Sequence, residues 1–167
     1  MEIRPLTDDD RPWVHRALAE AWGSTVVARH GVVVDAGALP GFVAVAGGRR
    51  VGLVTYSTAD DAVEVVTIHV EQSGGGTGQA LLGAVVDEAR RSGASRLWLV
   101  TTNDNGRAIA FYERFGMELV EVIADGVRAS RVVKPSIPMT GADGVEVRDE
   151  LVYGLDLTGR SSGGPPR

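Results

Sequence analysis

The sequence contains no cysteine. That excludes a disulfide framework, a thiolate zinc site and a cysteine nucleophile. It contains a single lysine, Lys134, among 17 basic residues. The other cations are arginines scattered along a chain of net charge −5, so the basic face of a duplex nucleic-acid binder is missing. No run reaches the roughly 18 apolar residues of a membrane span, and the stretch Met1–Asp10 is polar and acidic, unlike a secretory leader. A cytoplasmic protein with no membrane and no nucleic-acid partner is expected. Aromatic residues are few, at 5%. The apolar fraction of 44% and charged fraction of 23% are nevertheless those of a globular protein. A chain of 167 residues suits one domain, able to bury roughly 70% of its unfolded surface without a covalent staple. Glycine, at 22 residues, is about twice its usual frequency, which points to deliberate use of backbone geometry.

Residues 2–6 read as a first strand. Thr7 and the aspartates Asp8 to Asp10 form an N-cap signal, with Pro12 in the first helical turn. Trp13, Val14, Ala17, Leu18, Ala21 and Trp22 then recur at helical spacing up to Gly23. Residues 24–40 are expected to form a second short helix and a loop. From Gly41 the period changes to that of strands. Residues 42–46, 50–57 and 62–70 form an antiparallel meander, turned at Gly47-Gly48 and at Thr58–Asp61. A glycine-rich loop, Ser73-Gly74-Gly75-Gly76-Thr77-Gly78, leads into a helix marked by Leu81, Leu82, Val85, Val86 and Ala89. Residues 96–101 form a strand. Ala108, Phe111, Tyr112 and Phe115 mark a helix stopped by Gly116, and residues 117–123 form the next strand. Residues 125–147 read as irregular, 149–157 as a last strand, and 158–167 as a flexible tail. The order β-α-α-β-β-β-α-β-α-β-β implies an α/β fold, an α+β mixed sheet covered by helices, within one domain over residues 1–157.

The strand–glycine loop–helix passage from Ile68 to Leu82 is the most informative. Free N–H groups at a helix start, aided by the dipole, make an anion site that suits a pyrophosphate. The loop ends Thr77-Gly78-Gln79, without the Lys-Ser/Thr that nucleoside triphosphates require. The antiparallel meander before it argues against a dinucleotide fold. A glycine-rich turn with no ligand stays open on the loop alone.

Together with Asn105, Ala108, Phe111, Tyr112, Gly116 and Met117, this loop resembles the GCN5-related N-acetyltransferase (GNAT) family. Members carry a loop of the form Gln/Arg-x-x-Gly-x-Gly/Ala and an Asn…Ala…Phe-Tyr…Gly-Phe segment. The resemblance spans about residues 1–157 and matches a bacterial subgroup. It implies a central, mostly antiparallel twisted sheet of about six or seven strands flanked by helices. It also implies acetyl-CoA as cosubstrate, no metal, and an acetyl transfer to an amine of a small molecule or protein. A possible homodimer follows from the same resemblance. Ser73 stands where the family has Gln or Arg, so a long phosphate donor is lost.

The resemblance carries further onto individual residues. The cofactor would lie on Ser73, Gly74, Gly75, Gly76, Thr77, Gly78 and Gln79. Its pantetheine arm would pair with the main chain of Ile68, His69 and Val70, with Asn105 as a further partner or simply a helix cap. The side chain of His69 is expected on the face opposite Ile68, in a structural or solvent-facing place. Glu64, four residues before Ile68 and so expected on the same strand face, is the candidate base, with burial among apolar neighbours raising its pKa. An ordinary solvated glutamate is the other reading. Tyr112 is the candidate acid for the departing thiolate, or else a core aromatic.

Trp13, Trp22 and Tyr56 are candidates to line an acceptor pocket. His15 and His30, placed in the first helical region, and His69 are too scattered for a metal site. The segment 131–151, read as too proline-broken for a helix, is expected to fold over the acceptor pocket. Arg148, Asp149 and Glu150 would form an anchoring ion-pair cluster. Two alternatives to the enzyme remain: a non-catalytic acyl-CoA binding or sensing module, and an interaction domain with a vestigial loop.

Overall fold

The computed structural model describes residues 1–159; the tail expected over 158–167 lies outside the described residues from 160 onward. Strand β1 (Glu2–Pro5) leads through a short 3-10 turn (Asp8–Asp10) into helix α1 (Arg11–Trp22). Asp10 fixes that entry, because its carboxylate accepts from the Thr7 amide and hydroxyl at 2.9 and 3.0 Å. Val14, Ala17 and Leu18 form the buried stripe of α1.

Residues 24–40 are not helical. They form a hairpin, β2 (Val26–Arg29) and β3 (Val32–Asp35), followed by a 3-10 turn at Ala36–Ala38. Valine repeats favour strands. His30 and Gly31 both adopt positive φ, 52° and 69°, the backbone that a two-residue hairpin turn demands. Breaks in the apolar run, which argue against one long element, are here the turn itself.

The meander β4 (Gly41–Ala46), β5 (Arg49–Ala59) and β6 (Ala62–Val70) is antiparallel as expected. Helix α2 (Thr77–Arg91), strand β7 (Arg96–Thr102), helix α3 (Gly106–Phe115) and strand β8 (Glu118–Ile123) follow. The stretch read as irregular holds a further short helix, α4 (Val127–Val133), which ends before Pro135. Proline stops a helix at or before the preceding residue, so it bounds α4 rather than abolishing it. Strand β9 (Glu150–Asp156) closes the chain between β7 and β8.

The seven-stranded sheet has the order β1-β4-β5-β6-β7-β9-β8. Every neighbouring pair is antiparallel except β6–β7. One face packs on α2 and α3 through Val54, Val63, Val65, Leu81, Leu82, Val85, Leu97, Leu99 and Tyr153. The other packs on α1 through Val14, Leu18, Leu53 and Ala36, joined by Trp13 and Val66.

Two irregularities create the site. Strands β6 and β7 pair only where Ala62–Glu64 meets Arg96–Trp98, and beyond that they part. Within β6, Tyr56 pairs with Val65 but Thr55 pairs with Thr67, leaving Val66 as a bulge. A bulge advances the alternation by one residue.

Candidate acetyl-transfer cleft

The parted strands open a cleft of about 970 Å³. At one end lie Ser73, Gly74, Gly76, Thr77, Gly78 and Gln79. Gly74 and Gly76 hold φ of 94° and 77°, a backbone that other residues adopt only under strain. Neither would meet an atom within 4 Å if it carried a Cβ, so the cradle is open to a bulky ligand. The first intrahelical bond of α2 runs from the Ala80 amide to the Gly76 carbonyl at 3.0 Å, which leaves the amides before it facing outward as anion donors. Gly75 lies on the outer side of the loop, beside Met1, Ala46 and Arg49.

A cation that the sequence reading missed stands at this end. Arg107, in the first turn of α3, donates to the Ser73 hydroxyl, and both line the cleft. Asn105 also lines it and caps α3, its Oδ1 accepting from the Ala108 amide at 3.4 Å. Ile68, His69 and Val70 form the β6 wall, and the strand edge turned toward β7 has no ladder partner there.

The bulge at Val66 overturns one expectation. Glu64 and Ile68 do not share a face. Ile68 and Val70 pack toward α2, with Val63 and Val65, whereas the alternation places Glu64 with Thr67 and His69 on the α1 side. Period-two counting fails once an extra residue enters the strand. His69 does lie opposite Ile68 as expected, with its ring edge-on to Trp22 at 5.9 Å. Burial pushes its imidazole pKa down.

Glu64 is 5% exposed, and its carboxylate meets a cation. The Arg29 guanidinium grips both of its oxygens, Nε at 2.7 Å and Nη2 at 2.6 Å. The sequence offers no signal for Arg29, because the spacing over residues 24–40 does not identify its strand. Tyr112 is buried at 8% exposure between Phe111 and Tyr153, as a core aromatic is, and it also lines the cleft. Burial pushes its phenol up to about 12, so the hydroxyl keeps its proton at neutral pH.

Trp22 also lines the cleft, while the two other proposed aromatics do not. Trp13 packs into the α1 core. Tyr56 stacks on Phe42 at 6.1 Å on the α2 side of the sheet, because strand alternation turns it away. Ser136, Ile137, Pro138 and Val147 complete this wall. Arg131 of α4 pins the segment by donating to the carbonyls of Ile137, Pro138 and Val147 at 3.3, 2.8 and 2.6 Å.

The expected cluster of Arg148, Asp149 and Glu150 divides. Arg148 pairs with Asp149 at 3.0 Å. Glu150 points instead into the protein, 2% exposed, and accepts from the Ser130 hydroxyl at 2.6 Å and the His30 amide at 3.0 Å. Alternation along β9 separates adjacent side chains. His30 sits in the hairpin turn rather than in a helix, and its ring stacks on Trp98 at 6.2 Å. No group of three or more potential metal ligands occurs among the described residues, and no described helix is long and apolar enough to cross a membrane.

Comparison with known proteins agrees with this architecture. Residues 6–117 match the model of the Acetyltransferase (GNAT) family. The chain is 33% identical over 137 residues to the uncharacterized protein YdhI of Bacillus subtilis (strain 168), covering 81% of this chain and 86% of that one. Its fold is similar to the ribosomal-protein-S18-alanine N-acetyltransferase of Escherichia coli, with TM-score 0.65, 18% identity and 98% of each chain covered. It is also similar to a GNAT acetyltransferase of Elizabethkingia anophelis with acetyl-CoA bound, with TM-score 0.69, 16% identity, and 93% and 97% of the chains covered. The chain belongs to the GNAT acetyltransferase family.

Proposed function

We propose that this protein is an acetyl-CoA-dependent N-acetyltransferase of the cytoplasm. It would move an acetyl group to a primary amine of a small molecule or protein by direct attack in a ternary complex. The observation that carries the reading is one continuous cleft. It joins an open glycine cradle at a helix start to buried carboxylates, with a protonated tyrosine on its wall.

Acetyl-CoA supplies the activated acyl group. The residues present fit it: outward amides of α2 and Arg107 for the phosphates, and the open edge of β6 at Ile68–Val70 for the pantetheine arm. The amine nitrogen attacks the carbonyl carbon, a carbon–nitrogen bond forms and the carbon–sulfur bond breaks. Tyr112 holds the proton that the departing sulfur takes up. The proton lost by the amine passes to Glu64, directly or through water. A carboxylate has about four lone-pair sites, so the two Arg29 contacts leave Glu64 with capacity to accept. Holding both substrates in one cleft supplies much of the acceleration.

The non-catalytic acyl-CoA binding reading rests on two features: Ser73 in place of the long donor, and the grip of Arg29 on Glu64. Turnover with any amine separates the two. Calorimetric titration with acetyl-CoA tests the cradle. Ser73→Glu brings a like charge to the phosphates and should weaken binding roughly 10- to 100-fold. Ser73→Arg restores the family's donor and should strengthen it. Equal affinity in all three proteins would remove the cofactor from this loop.

A further inference from the structure

Beside the β2–β3 hairpin the cleft wall carries four charged groups: Arg29, Glu64, Lys134 and Glu150. Three of them already have a charged or hydrogen-bonding partner of their own. Arg29 and Glu64 neutralise each other. Glu150 is held by Ser130 and the His30 amide, with the His30 ring 3.7 Å away. The neighbouring Arg131 is committed to three carbonyls. Lys134 differs. Its Nζ donates to one neutral carbonyl, that of Val26 at 2.7 Å, and none of the ion pairs among the described residues includes it. An ammonium has three N–H donors, so donors remain for the cleft. Burial without a counter-charge pulls its pKa down, a penalty that a bound anion would relieve.

The chain uses arginine almost everywhere for positive charge, and its only lysine stands at the C-terminal end of α4, anchored to β2 across the cleft wall. The Val26 contact fixes the ammonium in place without neutralising it. That is the arrangement of a preformed anion anchor, and it is held by the hairpin strand β2 rather than by the glycine cradle.

We infer that the acceptor is an amine that also carries a carboxylate, which docks on Lys134 while the amine is presented to the acyl group. This rests on the acetyltransferase reading above. The pairing would make Lys134 a specificity-determining residue. Arg29 is unsuited to that role because its guanidinium is spent on Glu64.

The test uses the full chain with acetyl-CoA and a panel of acceptors. The panel contains α-amino acids, glycine, β-alanine and longer ω-amino acids, each matched with its amide, and the corresponding aminoalkyl phosphonates. The inference expects kcat/KM for the best acid to exceed that of its amide by roughly 10- to 100-fold, the worth of a charge-assisted contact. In Lys134→Gln that ratio should collapse toward one, chiefly through KM, and Lys134→Arg should restore most of it. A purely structural lysine would lower both rates together and leave the ratio intact, which would overturn the inference. So would equal use of acid and amide by the natural chain, a preference for phosphonates, or no transfer to any panel member while acetyl-CoA still binds. Failure to bind acetyl-CoA at all would instead overturn the transferase reading itself.

Discussion

Two carboxylates among the described residues are buried against arginine, one at the entry to α1 and one in β6. Asp10 is fully buried and accepts from Arg4 at 2.7 and 2.9 Å, from Arg50 at 2.7 Å, and from the amide and hydroxyl of Thr7. Those donors tie β1, the entry to α1 and β5 into one joint, and they use up the lone pairs of the carboxylate. Glu64 is nearly as buried but has one partner residue, Arg29, and its side chain lies on the cleft wall. Burial and an arginine partner are therefore common to scaffold and site. Unspent acceptor capacity facing a cleft marks the second.

The sharpest way to break that distinction is to neutralise each group. Asp10→Asn should cost about 2–4 kcal/mol of stability, because it strands two partly buried guanidinium groups and weakens the cap, and leave kcat nearly intact. The Arg4 and Arg50 contacts hold the Asp10 carboxyl well below the usual carboxylate range. A depressed folded pKa means that this stabilisation is full above about pH 4 and is lost as pH falls further. Acid unfolding followed by circular dichroism should show a shallower slope in the variant. Glu64→Gln should lower kcat roughly 100-fold or more as loss of a base does, a kinetic loss that Asp10→Asn lacks, even though the Glu64 change too strands a guanidinium, that of Arg29. Similar kinetic losses in both variants would erase the comparison.

Tyr112 sharpens the same contrast, since it serves core and cleft together. Tyr112→Phe keeps the ring packing and should lower kcat roughly 10- to 1,000-fold. An unchanged rate across pH would remove the hydroxyl from the mechanism. Its pKa, pushed up to about 12 by burial, also fixes a sign. The folded protein holds this proton more tightly than the unfolded chain, so stability is full below about pH 10 and falls between there and about pH 12, by about 2–3 kcal/mol. The phenylalanine variant should lose that alkaline slope.

Much of the fold is legible in the sequence. The meander, the glycine loop, α2, β7 and α3 follow from period, caps and turn residues, because each is specified locally. The segment 24–40 is not legible in this way: its valines fit a buried helix turn or a strand equally, and only pairing across His30–Gly31 decides. The facing of Glu64 was lost for a different reason. A bulge at Val66 leaves no mark in the composition of β6, and a single inserted residue inverts every later side chain. Arg29, Lys134 and Glu150 reach the cleft only through tertiary packing of the hairpin, α4 and β9. No motif spacing links residues so far apart, although a lone lysine in an arginine-rich chain was a visible signal.

Asn105 gives the smallest and most discriminating expectation. Its Oδ1 caps α3 at 3.4 Å, a long bond, so Asn105→Ala should cost only about 0.5–1 kcal/mol of stability. Its place on the cleft wall predicts a second effect, a several-fold rise in KM for acetyl-CoA as one hydrogen bond to the pantetheine arm is lost. Asn105→Asp separates them, because a carboxylate caps at least as well at a helix start but lacks the amide donor. If the aspartate variant recovers stability and not KM, Asn105 belongs with Glu64 on the working side of the molecule. If it recovers both, Asn105 is a cap alone and belongs with Asp10.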